Sequence, residues 1–376
     1  MVLYGKERMN MDHKGRKVDK MELSELQKEI VYSEANNIIV LASAASGKTA
    51  VLTDRVKWLL DQGKDPSKMV VFTFTNAAAE EMRKRIGEKG KEVFINTIHS
   101  YAFNLLLKYG LDVGKVAEEE RFDDFFKMVK DNPSCIEEVE YLLLDEAQDS
   151  NLLQFKFIFD MIKPKHAFIV GDIKQSIYEW SGARPDILFN LLNDARFTVY
   201  NLNENYRNGP TILKFAKRLI GGSMFGDEPL IDDSICMNEF AVDQVAEVTY
   251  NKDNLIYLIN QSGTYGKWFV LARSNAQVDQ IMLELNKANI PCDTFKRSQI
   301  TAEEFQQKME ADTVKILTVH ASKGLEADYV YVIGVSKWNQ KAEERRIAYV
   351  AATRAKKALF WAKDFKKKNQ RVTSWE

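Results

Sequence analysis

Short apolar runs recur along the chain, and each empties into a polar loop. Residues 22–34 carry the spacing of an amphipathic helix, and 38–42 read as a fully buried strand. A helix from Thr49 to about Leu60 follows, closed by Gly63 and Pro66. The next strand is MVVFTFT (69–75), then a helix at 77–86, a strand and loop at 93–100, and a helix at 101–109. Residues 111–139 are charged, with an aromatic patch at Phe122, Phe125 and Phe126, and predict a compact helical insertion. LLLDEAQD and AFIVGDIKQS supply two further strands. Near Val199 a second pattern begins, with strands at 267–273, 314–320, 328–334 and 358–362 and helices at 277–289 and 343–354. Residues 221–254 show weak periodicity and predict no element. Strands that are nearly all apolar and alternate with helices indicate parallel sheets covered on both faces. The expected fold is α/β in two domains, 21–197 and 198–376, after a polar leader at 1–20, with the reduced insertion at about 108–139.

Composition narrows the class without deciding it. The chain is 45% apolar and 28% charged with a net charge of −1, so no global excess of positive charge marks a nucleic-acid binder. A narrow basic groove can coexist with an acidic remainder. The basic residues near the start, and Lys356, Lys357, Lys363, Lys366, Lys367, Lys368 and Arg371 near the end, read as solvated termini. Cys135, Cys236 and Cys292 form neither a CxxC pair nor a ligand cluster, as expected of reduced cysteines in a cytoplasmic protein. The first residues lack the apolar core of a secretory signal, and no segment approaches the roughly 20 apolar residues that cross a bilayer.

Chemistry concentrates at two strand ends. IIVLASAASGKT runs from a strand into a phosphate loop, where the backbone N–H groups of Ala44, Ala45, Ser46 and Gly47 can cradle phosphates. Lys48 is placed to neutralise the β- and γ-phosphates, Thr49 to ligate Mg²⁺, and the helix N-terminus adds its dipole. YLLLDEAQD ends in Asp145, a second metal ligand, and Glu146, which would orient and deprotonate a water. ATP and Mg²⁺ are the implied substrate and cofactor.

Seven segments in order, TFTNAAAEEMRKRI, NTIHS, LLLDEAQDS, VGDIKQSIYEWSGA, LNENYRNGPTIL, LTVHASKGLEADYVYV and EERRIAYVAATRA, resemble the signature blocks of UvrD/Rep-type superfamily 1A DNA helicases. The resemblance implies two RecA-like motor domains with an ATP-binding cleft between them. It implies that Gln27 reads adenine, Tyr206 stacks on it, and Glu326 accepts a hydrogen bond from the ribose. It makes Gln175 the γ-phosphate sensor, and Arg207 and Arg354 the arginines that reach the γ-phosphate from the second domain. Trp180, Phe74 and Tyr178 become candidates for base stacking, and Thr97, His99 and Thr318 for DNA phosphates. Arg345 and Arg346 read as surface or interdomain salt-bridge residues.

The implied activity is 3′→5′ translocation on single-stranded DNA with unwinding of tailed or forked duplex, by a cytoplasmic monomer; a loading, replication or repair protein partner is left open. The alternative is a DNA-stimulated ATPase subunit that clamps or strips DNA and unwinds only with a partner. Two departures from the family pattern stand out. Ala50 occupies the position where the family usually has an adenine-stacking arginine, and both large insertions are reduced or nearly absent.

Overall fold

The computed structural model describes residues 22–221, 223–225, 228–229, 232–238, 241–295, 301–335 and 341–363. The leader expected at 1–20, and Lys366, Lys367, Lys368 and Arg371, lie outside the described residues.

In the first lobe, α1 (Glu25–Val31) leads through β1 (Asn37–Ala42) to α2 (Lys48–Asp61), β2 (Met69–Phe72), α3 (Asn76–Ile86), β3 (Phe94–Asn96) and α4 (Ile98–Lys108). The short helices α5 (Gly114–Glu118) and α6 (Asp124–Asp131) form the insertion, and α6 turns Phe125, Phe126 and Val129 into the core. After them come β4 (Tyr141–Leu144), α7 (Leu152–Lys156), β5 (His166–Gly171), α8 (Pro185–Leu191) and β6 (Thr198–Leu202). These strands form a parallel sheet in the order β3-β2-β4-β5-β1-β6. Its central strands are buried on both faces, which is why they read as unbroken apolar runs.

The expected domain boundary at 197/198 falls immediately before β6, yet β6 pairs in parallel with β1 through Ile38–Thr198 to Ala42–Leu202. The first sheet therefore extends to Leu202. TVYNL is mostly exposed and pairs along one edge only, so its pattern carries little of the apolar signal of a central strand.

The chain then crosses through β7 (Glu204–Asn205) to α9 (Pro210–Ile220), which packs on the second lobe, and continues through the small antiparallel pair β8 (Ser223–Phe225) and β9 (Glu228–Pro229) to β10 (Ile235–Cys236), which pairs with β7. The second lobe contains β11 (Gln244–Thr249), α10 (Lys252–Ser262), β12 (Trp268–Ala272), α11 (Asn275–Lys287), β13 (Cys292–Thr294), α12 (Ala302–Glu310), β14 (Val314–Thr318), β15 (Ala327–Ile333), α13 (Ala342–Ala352) and β16 (Ala355–Lys363). Its strands form a second parallel sheet, β11-β16-β15-β12-β14-β13. The stretch 221–254, silent in the sequence pattern, thus supplies crossover strands and an edge strand.

Each sheet is sandwiched between two apolar layers. One layer does not stop at the lobe boundary. Ala44, Ile177 and Tyr178 of the first lobe share a buried cluster with Ile212, Ile347 and Tyr349 of the second. The lobes are therefore joined by dry packing as well as by chain. Among the described residues no helix is long and apolar enough to cross a membrane.

Candidate functional site

The loops that leave β1, β4 and β5 converge at the carboxyl edge of the first sheet, where ligands of open α/β sheets bind. The loop after β1 carries Ala45 at φ 56° and Gly47 at φ 82°, so one non-glycine residue is held in the left-handed region. That conformation costs an alanine about 1–2 kcal/mol. Gly47 is the N-cap of α2 and leaves its helix N-terminus open toward the loop. A Cβ on Gly47 would lie 2.7 Å from Gln27 Nε2. Gln27 uses both ends of its amide: Oε1 accepts from Ser24 N at 3.0 Å, and Nε2 donates to Ser46 O at 2.9 Å. The expected adenine reader is thus also a brace for the phosphate loop.

Lys48 Nζ stands 3.9 Å from both Glu146 Oε1 and Asp172 Oδ2. Glu146, like Ala45, is left-handed, with φ 49°. Burial pushes the Asp145 carboxyl upward, and the neighbouring Glu146 charge adds to the shift. Burial would raise Glu146 as well, but Lys48 and Lys323 outweigh it and hold that carboxyl low. Burial and Glu146 thus work against the Asp145 charge, while two cations support the charge on Glu146. Gln175 follows β5 and donates from Nε2 to Asp172 Oδ2 at 2.5 Å.

The second lobe contributes cations to the same place. Arg354, 1% exposed, donates from Nη2 to Gln175 Oε1 at 3.3 Å and from Nη1 to Leu325 O at 3.1 Å. Burial, then repulsion from Arg207, lowers its pKa to about 9. Arg207 donates from Nε to Glu326 Oε2 at 2.7 Å and from Nη1 to Thr353 O at 3.2 Å. Glu326, expected to meet a ribose, here receives Arg207 and Lys356. Tyr206 joins the loop through its backbone N–H to Ala45 O at 3.1 Å, and its hydroxyl donates to Glu204 Oε2 at 3.0 Å.

Several residues of the cleft carry no motif signal that sequence reasoning used. Lys323, inside SKGLE, pairs with Asp149, lies 3.4 Å from Glu146 Oε2 and donates to Gln175 O at 3.0 Å. Burial alone would lower its pKa, but Asp149 and Glu146 raise it above the ordinary lysine value. Asn205 donates to Ala44 O at 2.9 Å, while Asn208 donates to Thr353 O at 3.2 Å and Ala355 O at 2.7 Å. Through these two amides the crossover grips the phosphate loop on one side and the start of β16 on the other. Arg346 is fully buried; it donates to Ser176 O at 2.7 Å and pairs with Glu179, an interlobe role within the range expected for it. Arg345 instead donates to Gly221 O at 2.9 Å.

The aromatic candidates separate by exposure. Trp180 is 71% exposed and Phe74 38%, whereas Tyr178 is only 6% exposed. Tyr178 stacks on Phe74 at 5.0 Å, packs against His320 at 5.7 Å, and has the Lys323 ammonium 5.4 Å from its ring centre. Tyr178 is thus largely enclosed by Phe74, His320 and Lys323, which leaves Trp180 and Phe74 as the more exposed of the three candidates. Beside Phe74, a groove of about 480 Å³ is lined by Asn76, Thr97, His99 and Phe122 among others. Thr97 caps α4 through Ser100 N, and His99 Nε2 lies 2.8 Å from Asp123 Oδ1. Thr318 Oγ1 accepts from Ala321 N at 3.2 Å, shaping the turn after β14.

The donor set fits Mg²⁺ bound with a nucleotide. That ion takes one or two protein ligands and completes its shell with phosphate and water, and Thr49 and Asp145 can supply the protein share. Among the described residues no cluster of three or more His, Cys, Asp or Glu side chains offers an all-protein metal site. Ser46 Oγ, buried in the loop, has no hydrogen-bond partner, leaving a hydroxyl available to a phosphate oxygen.

Comparison with known proteins agrees with this geometry. Residues 23–133 and 125–196 match the UvrD/REP helicase N-terminal domain, and residues 293–364 match the UvrD-like helicase C-terminal domain. A probable DNA helicase II homolog of Mycoplasma capricolum is 25% identical across 72% of this chain and 51% of its own length. A probable DNA helicase of Mycoplasma pneumoniae is 25% identical across 90% of this chain and 82% of its own. DNA helicase II of Haemophilus influenzae is 26% identical across 72% and 50%. The chain thus spans about half the length of two of these relatives and most of the third.

Proposed function

The chain belongs to the UvrD/Rep helicase family, and from that premise we propose that it is an ATP-driven motor on single-stranded DNA, moving 3′→5′ and unwinding tailed duplex. The observation that carries the proposal is the shared cleft. Lys48, Asp145, Glu146 and Gln175 come from the first lobe, while Arg207, Lys323 and Arg354 come from the second. Hydrolysis that needs both walls is coupled to their relative position.

In this reading ATP lies on the phosphate loop, with Lys48 and the N-terminus of α2 neutralising phosphate charge. Bound Mg²⁺, held by Thr49 and Asp145, would supply further charge neutralisation. Glu146, kept ionised by Lys48 and Lys323, orients the attacking water and is free to accept its proton. Arg207 and Arg354 stabilise charge on the transferring phosphoryl group, an effect worth about 10³–10⁵ in rate elsewhere. Bases stack on Trp180 and Phe74, each contributing about 1–3 kcal/mol regardless of sequence. Phosphates run along the Thr97 and His99 groove and past Thr318. Gln175 and Trp180 leave one loop after β5, so nucleotide sensor and base platform move together.

A second reading, an ATPase subunit that clamps DNA and unwinds only with a partner, is favoured by the small insertion, reduced to α5 and α6. Two assays decide. ATP hydrolysis should rise on adding single-stranded DNA and vanish in Lys48→Ala; no stimulation would sink both readings. Strand displacement on a 3′-tailed duplex by the protein alone then supports the motor, and its absence supports the subunit.

A further inference from the structure

A buried ion pair joins the lobes beneath the phosphate loop, away from the groups assigned to hydrolysis. Lys174 lies between Asp172 and Gln175 in the loop after β5, and its Nζ stands 3.1 Å from Asp232 Oδ1. The two side chains are 5% and 1% exposed. The same ammonium donates to Ser43 Oγ at 3.3 Å, at the start of the phosphate loop. Asp232 belongs to the stretch between α9 and β11 that the sequence pattern left blank. Its Oδ1 also accepts from Ser234 N at 3.1 Å and Ser234 Oγ at 2.5 Å. Ser234 O in turn receives Lys217 Nζ of α9 at 2.6 Å, which fastens this turn to the second lobe. Tyr349 of α13 faces the same cluster: burial, then the Asp232 and Asp172 charges, push its hydroxyl well above the ordinary value.

Such a pair is a poor source of stability, since apolar residues of similar volume usually do as well or better. What it does supply is registry. Separating Lys174 from Asp232 would strand two charges in a dry interior, so intermediate positions of the lobes are disfavoured. The Lys174 end is also tied to nucleotide machinery. Lys174 N donates to Asp172 Oδ1 at 3.0 Å, and Asp172 Oδ2 accepts from Gln175 and faces Lys48.

We propose that Lys174 and Asp232 form an interlobe latch of positioning residues, which sets the phosphate loop and the Gln175 loop against the second lobe and thereby tunes ATP affinity. This rests on the nucleotide site proposed above. Neither residue touches the reacting atoms. The latch acts through Ser43 and Asp172.

The test compares Asp232→Asn, Lys174→Met and the apolar double variant Lys174→Met/Asp232→Leu in the full chain. Thermal melting, KM and kcat for ATP with saturating single-stranded DNA, and amide hydrogen exchange without nucleotide are measured on each. The single variants should melt earlier and raise KM about tenfold, within the usual range of coupling between sites, with kcat changing less. The double variant should regain the melting temperature yet keep the raised KM, and residues 43–49 should exchange about tenfold faster while β12 is unchanged. Recovery of KM together with melting, or unaltered exchange at 43–49, would overturn the latch. The exchange arm needs no hydrolysis, so it judges the latch even if the wild-type chain lacks ATPase activity, an outcome that counts against the proposed function instead.

Discussion

Arg354 Nη2 lies 3.3 Å from Gln175 Oε1, so a second-lobe guanidinium rests on the side chain expected to sense the γ-phosphate. Arg354 is buried and held by the carbonyls of Val350 and Leu325, which leaves Nη2 as the end that reaches across. Replacing it with lysine keeps a charge but loses the planar fork. Arg354→Lys should lower kcat by about 10³-fold or more, as for other arginine fingers, with the affinity for a non-hydrolysed ATP analogue little changed. Single-turnover hydrolysis beside equilibrium analogue binding separates the two, and an equal loss in both would assign Arg354 to ground-state binding.

Lys323 holds the lobes together by a different route. Its ammonium serves Asp149 and Glu146 at once, and of the two Asp149 is the buried one, 4% exposed. Lys323→Met removes the cation and leaves uncompensated charge. Such breakage costs about 3–5 kcal/mol, so the urea midpoint should fall strongly while the slope of the transition stays constant. A variant as stable as the parent would show that water or Lys48 takes over the role.

Trp180 and Tyr178 lie two positions apart and should fail differently. Trp180 is mostly exposed, so Trp180→Ala should leave stability nearly intact and weaken single-stranded DNA binding by about 1–3 kcal/mol. Tyr178→Ala opens a cavity between Phe74 and His320 and should destabilise the fold by about 3–5 kcal/mol, as buried aromatic truncations do. Fluorescence anisotropy with a short oligonucleotide, paired with urea melts, reads both. Affinity should fall as salt rises for the parent and for Trp180→Ala alike, since stacking adds little to counterion release.

The division between what the chain announces and what it conceals follows from contact range. Lys48, Asp145 and Glu146 are legible because strand, turn and functional group sit within a few residues of one another. Arg207 and Arg354 carry no local chemistry and stand out only through their resemblance to family blocks. Lys323, Asn205 and Asn208 lay inside those blocks, yet their partners are remote in sequence, and nothing in the spacing pairs Asn208 with Ala355. Asp232 is harder still: it sits in a stretch with weak periodicity, and its partner Lys174 is 58 residues away. The burial of Tyr178 was hidden for the same reason, because Phe74 and His320 pack against it from opposite directions along the chain. The first lobe's true end was masked by β6, a one-sided strand whose exposed residues resemble a linker.

Ala50 offers the cleanest gain-of-function test of the nucleotide site. It lies in the first turn of α2, two residues after Lys48, and is only partly buried, so a longer side chain can extend without displacing core atoms. Tyr206 is already fixed against the phosphate loop, through its N–H to Ala45 O and its hydroxyl to Glu204. An arginine at position 50 would add a guanidinium plane opposite that ring, and stacking or cation–π contact with a purine contributes about 0.5–2 kcal/mol. A cation near a helix N-terminus opposes this by about 0.3–1 kcal/mol at an exposed position, which leaves a modest net gain. Ala50→Arg should therefore lower KM for ATP by about three- to tenfold. It should also widen the preference for ATP over GTP, because firmer stacking fixes the base edge against Gln27, where adenine offers a 6-amino donor and guanine a 6-oxo acceptor. Steady-state hydrolysis of both nucleotides under saturating single-stranded DNA gives the two ratios. If neither moves, the base does not lie between position 50 and Tyr206, and the adenine side of the site must be redrawn around the Gln27–Ser46 brace.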